Sequence, residues 1–321
     1  MKKIDEILTE NINSIAIVGH VRPDGDCVGS CMGLYNYLKD NYTLDVDVYL
    51  DDFAHSLSFM RYSDEINKNT DPSKQYDLVI AVDCSDRNRL GKGNEFFETA
   101  KKTACIDHHI SNAGYSEVNH IRPNACASGE VLYELFDADK ISKETAECLY
   151  TAIIHDSGVF QYSSVTQRTM EIDGTLMGKG IDFSNIVAKT FYEKSYHRNQ
   201  ILGRALLESI RLMNGKCIFS VISASNMEFY RVKPKDLDGI VENLRNTEGV
   251  EVAIFLYETG AQEYKVSLRS KDIVDVSKVA AYYGGGGHVK AAGCTMHGSV
   301  YDVINNLTSH IEQQMLAVGE E

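Results

Sequence analysis

The chain has 321 residues, of which 43% are hydrophobic and 24% charged, and its formal net charge is -14. That length exceeds the usual size of one compact core and predicts two domains, while ordinary composition with only four prolines excludes a Pro-rich linker or a long disordered tract. The acidic balance excludes a protein that tracks long nucleic acid, because non-specific polymer binding draws on a basic surface and on the counterions it displaces.

Met1, Lys2 and Lys3 open the chain without the apolar segment of a leader, and no stretch approaches the roughly 18 apolar residues of a membrane span. A cytoplasmic location is expected. Residues 14–19 read as a strand, 27–39 as an amphipathic helix and 46–50 as a strand, and further strands follow at 78–82 and 104–106. This alternation predicts an α/β domain with a parallel sheet and helices on both faces. Residues 86–100 form a charged connection without a clear period. Ser128 is read as the N-cap of a helix through Val131, Leu132, Leu135 and Phe136, and Ser142 as the N-cap of a helix that ends near Asp156.

Residues 166–213 lose the strand pattern and read as consecutive helices, with a connecting helix over 191–212 between a domain at 1–190 and a smaller α/β domain at 213–321. Strand patterns resume at 217–222, 250–257 and 263–268, with a helix at 234–246 between the first two. A helix at 276–283, a glycine-rich loop and a terminal amphipathic helix at 300–315 complete the chain. The eight cysteines are scattered with no C-x-x-C pair, which predicts reduced, mostly buried thiols rather than disulfides or structural zinc. Cys27 and Cys84 adjoin acidic clusters and are open to oxidation or adventitious metal binding.

The chemistry is concentrated in four clusters: His20-Val21-Arg22-Pro23-Asp24-Gly25-Asp26, Ala81-Val82-Asp83, Ile106-Asp107-His108-His109 and Ile153-Ile154-His155-Asp156-Ser157-Gly158. The first three follow apolar strands, so their side chains fall at strand carboxyl ends, where open α/β sheets place their sites. Taken singly, each has a bland reading. Asp-Gly-Asp is usually a turn, Asp83-Cys84-Ser85-Asp86 can cap a helix, and two adjacent histidines can be a half-buried pair. Four in order point instead to two bound cations, with Asp24 and Asp26 each on a different ion, Asp83 bridging, and His108 and Asp156 completing the second site. Imidazole mixed with carboxylate suits Mn²⁺ or Mg²⁺ better than structural zinc.

The order HxxxDxD, VD, DHH and HDSG resembles the DHH phosphoesterase superfamily. Val266-Ser267-Leu268-Arg269-Ser270 and the run from Gly284 through Gly287 to His288-Val289-Lys290-Ala291-Ala292-Gly293 resemble its DHHA1 companion domain. Together the two parts cover nearly the whole chain, most like the stand-alone oligoribonuclease and 3'-phosphoadenosine 5'-phosphate (pAp) phosphatase subgroup. The resemblance implies a first Mn²⁺ on His20, Asp24 and Asp83 and a second on Asp26, Asp83, His108 and Asp156. It implies catalytic roles for Asp83, for Asp107 orienting the metal-ligating imidazole, and for His109 facing the substrate phosphate. Substrate would be held by Arg269, Gly285, Gly286, Gly287 and His288, with the active site in a cleft between the domains. His155 departs from the Thr common in relatives, and Arg22 is a second variable position.

The activity implied is release of 5'-mononucleotides from short RNA and removal of the 3'-phosphate of pAp, with short RNA, pAp or dinucleotides as substrates. Neither long-polymer nor membrane association is expected, and a homodimer is left open. The rival enzyme is a cyclic or linear dinucleotide phosphodiesterase; the rival of another class is a non-catalytic nucleotide-binding regulator, against which the full ligand set speaks. A pyrophosphatase fits the glycine run and Arg269 less well, and a long-strand exonuclease would need a basic channel.

Overall fold

A computed structural model describes residues 4–8, 11–71 and 73–319, with side chains to 317; Met1, Lys2 and Lys3 lie outside the described residues. The chain divides into two compact units, Met1–Glu193 and Lys194–Glu321.

In the first unit the elements run β1 (Ser14–Val18), α1 (Gly25–Asn41), β2 (Asp45–Tyr49), β3 (Leu78–Val82), α2 (Asn94–Thr99), β4 (Lys102–Asp107), β5 (Val118–Ile121), α3 (Ser128–Leu135), α4 (Lys143–Asp156), α5 (Gln167–Met177) and α6 (Phe183–Val187). The five strands form one all-parallel sheet in the order β2-β1-β3-β4-β5. Helices cover both faces, as the apolar runs predict. Along β1, Ile15 and Ile17 enter the core shared with α1, α3 and α4, while Ala16 and Val18 enter a second core with Tyr49, Tyr76, Leu90, Phe96 and Phe97. The charged connection at 86–100 supplies that second cover through a short 3₁₀ segment, Arg87–Gly93, and α2.

Two helices set the geometry of the acidic loops. A Cβ on Gly29 of α1 would lie 2.6 Å from the Cys148 carbonyl oxygen of α4, so only glycine lets these helices approach so closely. That approach carries the start of α1, with Asp24 and Asp26, toward the end of α4, with Asp156. Ser142 caps α4 by accepting from the Thr145 N–H. Ser128 does not cap α3: the cap position is Ala127, and Ser128 is the first residue inside the helix.

The second unit contains α7 (Tyr196–Leu207), β6 (Ile210–Leu212), β7 (Cys217–Ile222), α8 (Ala224–Tyr230), α9 (Ile240–Arg245), β8 (Val252–Gly260), β9 (Glu263–Ser270), α10 (Val276–Ala281), β10 (Gly286–His288), β11 (Ala291–His297) and α11 (Val300–Gly319). Its mixed sheet has the order β10-β11-β9-β8-β7-β6. Val252, Ile254 and Leu256 of β8 face a core with α10 and α11, while Ala253 and Phe255 face a core with α7 and α9.

Three details differ from expectation. The helix expected over 191–212 is α7 alone, and Ile210, Arg211 and Leu212 are a strand because they pair antiparallel with β7. The helix expected over 234–246 is broken at Gly239, whose left-handed φ of 91° separates a 3₁₀ turn from α9. The glycine run is a hairpin rather than a loop, because Gly286, Gly287 and His288 pair with Gly293, Ala292 and Ala291.

Asp173 of α5 is 2% exposed, and neither carboxylate oxygen has a hydrogen-bond partner. Burial, reinforced by the charge of Glu130, pushes its carboxyl up to about 8. A carboxyl raised in the folded state favours folding most below its unfolded value near 3.8, and that contribution is lost as pH rises toward 8. Asp173→Asn removes the titration, so the variant should gain on the parent between about pH 4 and pH 8 by up to several kcal/mol, at about 1.4 kcal/mol per pH unit, and hold that gain above pH 8. Urea unfolding of both proteins across that range measures the difference; a gap independent of pH would refute the assignment.

Candidate metal centre

Each of the four clusters emerges at the same end of the first sheet. His20 follows β1, Asp83 follows β3, Asp107 ends β4 with His108 and His109 beyond it, and Asp156 is the last residue of α4. Their side chains gather around two imidazole nitrogens. His20 Nε2 lies 3.8 Å from Asp24 Oδ1 and 3.5 Å from Asp83 Oδ2. His108 Nε2 lies 3.7 Å from Asp26 Oδ2, 3.7 Å from Asp83 Oδ1 and 3.2 Å from Asp156 Oδ2. Asp83 therefore offers one oxygen to each group.

The remaining ring nitrogens are committed elsewhere. His20 Nδ1 is 2.9 Å from the Val21 carbonyl, and His108 Nδ1 is 3.3 Å from that of Ala125. With Nδ1–H donating to a backbone carbonyl, each ring keeps the Nε2 lone pair for a cation, the arrangement usual around metal-ligating histidines. Asp83 has φ 55°, a left-handed conformation that Asp and Asn tolerate better than most residues. Its N–H donates to the Ile106 carbonyl at 3.0 Å, which anchors that turn between β3 and β4.

Asp26 is buried in the first turn of α1, yet it is richly hydrogen-bonded. Its Oδ1 accepts from Ser30 Oγ at 2.7 Å and Gly129 N at 3.2 Å, and its Oδ2 accepts from Ser128 N at 2.8 Å. The N-terminus of α3 thus seats one carboxylate, while Ser128 Oγ donates to Asp83 Oδ1 at 3.0 Å. Asp107 is fully buried and faces away from both groups: Oδ1 takes His109 Nδ1 at 2.7 Å and the His108 N–H at 2.9 Å, and Oδ2 takes Asn112 Nδ2 at 2.6 Å. Its direct imidazole partner is His109, not His108. The His109 ring stays part-exposed beside the cluster, with Nδ1 3.7 Å from Asp83 Oδ1.

The electrostatics are those of a site short of positive charge. Burial and the charges of Asp83, Asp156 and Asp24 push the Asp26 carboxyl well above the usual range. Burial, with the same kind of crowding outweighing the pull of His108, lifts Asp156 to about 6. Burial alone would lower the His20 imidazole, but its contacts with Asp24 and Asp83 outweigh it and hold it up at about 12. Burial lowers His109 less than its bond to Asp107 raises it. Divalent cations relieve this crowding, and the donor set fits them: Asp26, His108 and Asp156 each offer a ligand atom within 4.8 Å of the others, as do His20, Cys27 and Asp83.

Ser30, Asn112, Ser128 and Cys27 are members of this site that motif reading did not assign. Ser30 lies one helical turn after Asp26, Cys27 directly follows Asp26 and was noted there only for oxidation or adventitious metal binding, and Asn112 lies five residues after Asp107; Ser128 alone arrives from a distant position. Arg22 is exposed beside the first loop. The His155 ring lies against Gly25, where a Cβ would collide with it, so it supports the first loop.

In the second unit, β9, β11 and β10 place Arg269, Ala291 and His288 side by side in register, hence on one sheet face. Arg269 Nε donates to Glu242 Oε1 at 2.8 Å, and His288 is exposed. A Cβ on Gly285 or Gly287 would collide with β11, so these two glycines are required by the hairpin itself. Gly286 faces open space. An open cavity of about 360 Å³ lies along this face and is lined by Arg269, Lys265, Ser267, Tyr257 and Glu242.

A covered parallel sheet with shared carboxylates and imidazoles at its strand ends, followed by a mixed-sheet domain that carries Arg269 and His288 on one face, defines a metal-dependent hydrolase of phosphoesters. Comparison with known proteins narrows the class. The model of the DHH family, N-terminal domain, matches residues 14–153 and that of the DHHA1 domain matches residues 214–317, so the chain carries a DHH domain followed by a DHHA1 domain. It is 28% identical, over 100% of its own length and 94% of the relative's, to the bifunctional oligoribonuclease and PAP phosphatase NrnA of Thermus thermophilus. The Bacillus subtilis protein of the same name is 25% identical over 89% of this chain and 90% of its own. An exopolyphosphatase-related protein from Bacteroides fragilis shares the fold with a TM-score of 0.86 at 24% identity, covering 97% of this chain and 95% of that one. No helix among the described residues is long and apolar enough to cross a membrane.

Proposed function

We propose that this chain is an oligoribonuclease and pAp phosphatase that works with two divalent cations, Mn²⁺ or Mg²⁺. The observation that carries the reading is Asp83, whose two oxygens face the two imidazoles of two separate donor groups. The curated relatives of near full length carry that pair of activities in their names. Eight buried, unpaired thiols suit a reducing cytoplasmic setting.

His20, Asp24 and Asp83 would hold one cation and Asp26, Asp83, His108 and Asp156 the other. When bound, the cations supply positive charge to the phosphoryl oxygens and lower the pKa of water. The chain's own groups do the rest. The α3 N-terminus holds the Asp26 carboxyl in place, and the backbone carbonyls of Val21 and Ala125 hold His20 and His108 in the ligating tautomer. Asp107 orients His109 and, by accepting its Nδ1–H, favours the protonated ring, so that Nε2–H can donate to a phosphate oxygen. Asn112 fixes Asp107 in turn. Arg269 and His288 supply contacts to the nucleotide, with Gly286 leaving backbone open to it.

Length preference follows from charge. A net charge of -14 works against a long polyanion, so each further nucleotide is expected to add repulsion rather than new contacts. Catalytic efficiency should peak at about two to five nucleotides, fall steeply for long single strands, and weaken little with moderate salt because few counterions are released. The test is purified protein with Mn²⁺, offered pAp, end-labelled RNAs of graded length and a cyclic dinucleotide side by side. Processive degradation of long RNA at comparable efficiency would refute the short-substrate reading, and exclusive cleavage of the cyclic dinucleotide would replace it.

A further inference from the structure

The His20 group contains a donor that the catalytic reading does not use. Cys27 is fully buried in the first turn of α1, three residues after the cap residue Asp24, whose Oδ1 accepts the Cys27 N–H at 3.1 Å. Its Sγ, a nitrogen of His20 and an oxygen of Asp83 all lie within 4.8 Å of one another. The thiol is also confined from behind. A Cβ on Gly19 would overlap Cys27 Sγ and come 3.2 Å from Cys31 Sγ, so the sulfur is pressed against the end of β1 and held on the metal side. The neighbouring thiols are engaged differently. Cys84 Sγ donates to the Asp86 carbonyl at 3.1 Å, and Cys105 Sγ lies 3.4 Å from Asn112 Nδ2.

We infer that Cys27 is a sulfur ligand of the His20 site, which makes that site a nitrogen, oxygen and sulfur donor set able to take a thiophilic divalent cation such as Zn²⁺, Co²⁺ or Cd²⁺. The inference rests on the reading of His20, Asp24 and Asp83 as metal ligands. As the sulfur–metal bond forms, the S–H bond breaks and the proton passes to solvent, while the cation keeps its oxidation state. Thiolate selects softer cations than carboxylate does, so the two sites differ in kind: among the described residues the His108 group offers nitrogen and oxygen donors without sulfur. A thiophilic cation therefore enters the His20 site in preference to the other and competes there with Mn²⁺.

The experiment titrates metal-free, full-length protein with Co²⁺ and, separately, Cd²⁺, and follows sulfur-to-metal charge-transfer absorption, in the near ultraviolet for Co²⁺ and at shorter ultraviolet wavelengths for Cd²⁺. The parent should develop the band stoichiometrically, Cys27→Ser should lose it, and Cys84→Ser should keep it. Cadmium NMR of the unmutated protein reads the sulfur donor independently of any variant, and far-ultraviolet circular dichroism checks that Cys27→Ser is folded. Binding of Co²⁺ or Cd²⁺ without the band, or a band that survives Cys27→Ser, would overturn the inference. Mn²⁺ binding, followed by electron paramagnetic resonance on the same preparations, separates the two levels. Mn²⁺ bound without a sulfur band under Co²⁺ or Cd²⁺ removes Cys27 alone, whereas failure to bind any cation removes the two-cation reading as well.

Discussion

Replacing Asp83 by Asn should reduce turnover by at least about 10³-fold on every substrate and weaken binding of both cations, because several kcal/mol of charge stabilisation leaves with them. The variant isolates charge from shape. Asn adopts the left-handed φ of 55° seen at this position, and its N–H can still donate to the Ile106 carbonyl, so the turn between β3 and β4 survives. What is lost is the pair of anionic oxygens facing His20 and His108. A neutral amide presents one oxygen and one NH₂, and the NH₂ side repels a cation. Metal content after dialysis, paired with steady-state rates on pAp and a dinucleotide, measures the effect. Near-parental activity with both cations retained would show that Asp83 does not bridge them.

Substitution in the second unit should act on substrate and not on metal. Arg269→Ala is expected to raise KM for nucleotides by roughly 10- to 100-fold, the equivalent of one charge-assisted hydrogen bond at about 1.5–3 kcal/mol, with Mn²⁺ affinity unchanged. Arg269 also pairs with Glu242, so part of any loss reflects packing of β9 on α9, and thermal melting reads that part. His288→Ala is the cleaner partner. The ring is exposed on the short β10 strand, and its truncation leaves β10 paired with β11. It should raise KM by about tenfold with no change in melting. Loss of metal in either variant, or unchanged kinetics on pAp, short RNA and dinucleotides alike, would contradict a nucleotide-binding role for this face.

Much of the first unit was legible in the chain because its physics is local. Apolar runs such as Leu78–Val82 must be strands buried on both sides, and an acid directly after such a run has to sit at the sheet's carboxyl edge. Three such edges and one helix end, in sequence order, were enough to list the candidate carboxylates and imidazoles. β5 escaped notice because Val118, Asn119, His120 and Ile121 form a half-buried edge strand without an apolar run. The short strand β6 was absorbed into a helical pattern because three residues carry no period of their own; only its pairing with β7 makes it a strand.

The glycine run shows the same division. Its composition announced close backbone approach, but whether that approach is to a ligand or to another strand depends on what lies opposite. For Gly285 and Gly287 the neighbour is β11; for Gly286 the space is open. Composition, strand period and the order of acids and histidines, all properties of neighbouring residues, thus determined the fold class and the candidate metal chemistry. Tertiary structure alone decided that Asp107 serves His109 rather than His108, that the start of α3 seats Asp26, and that Cys27 lies beside His20 and Asp83. Those contacts join residues up to 103 positions apart, and a directional bond or a shared donor group depends on where two backbones cross, which no local pattern encodes.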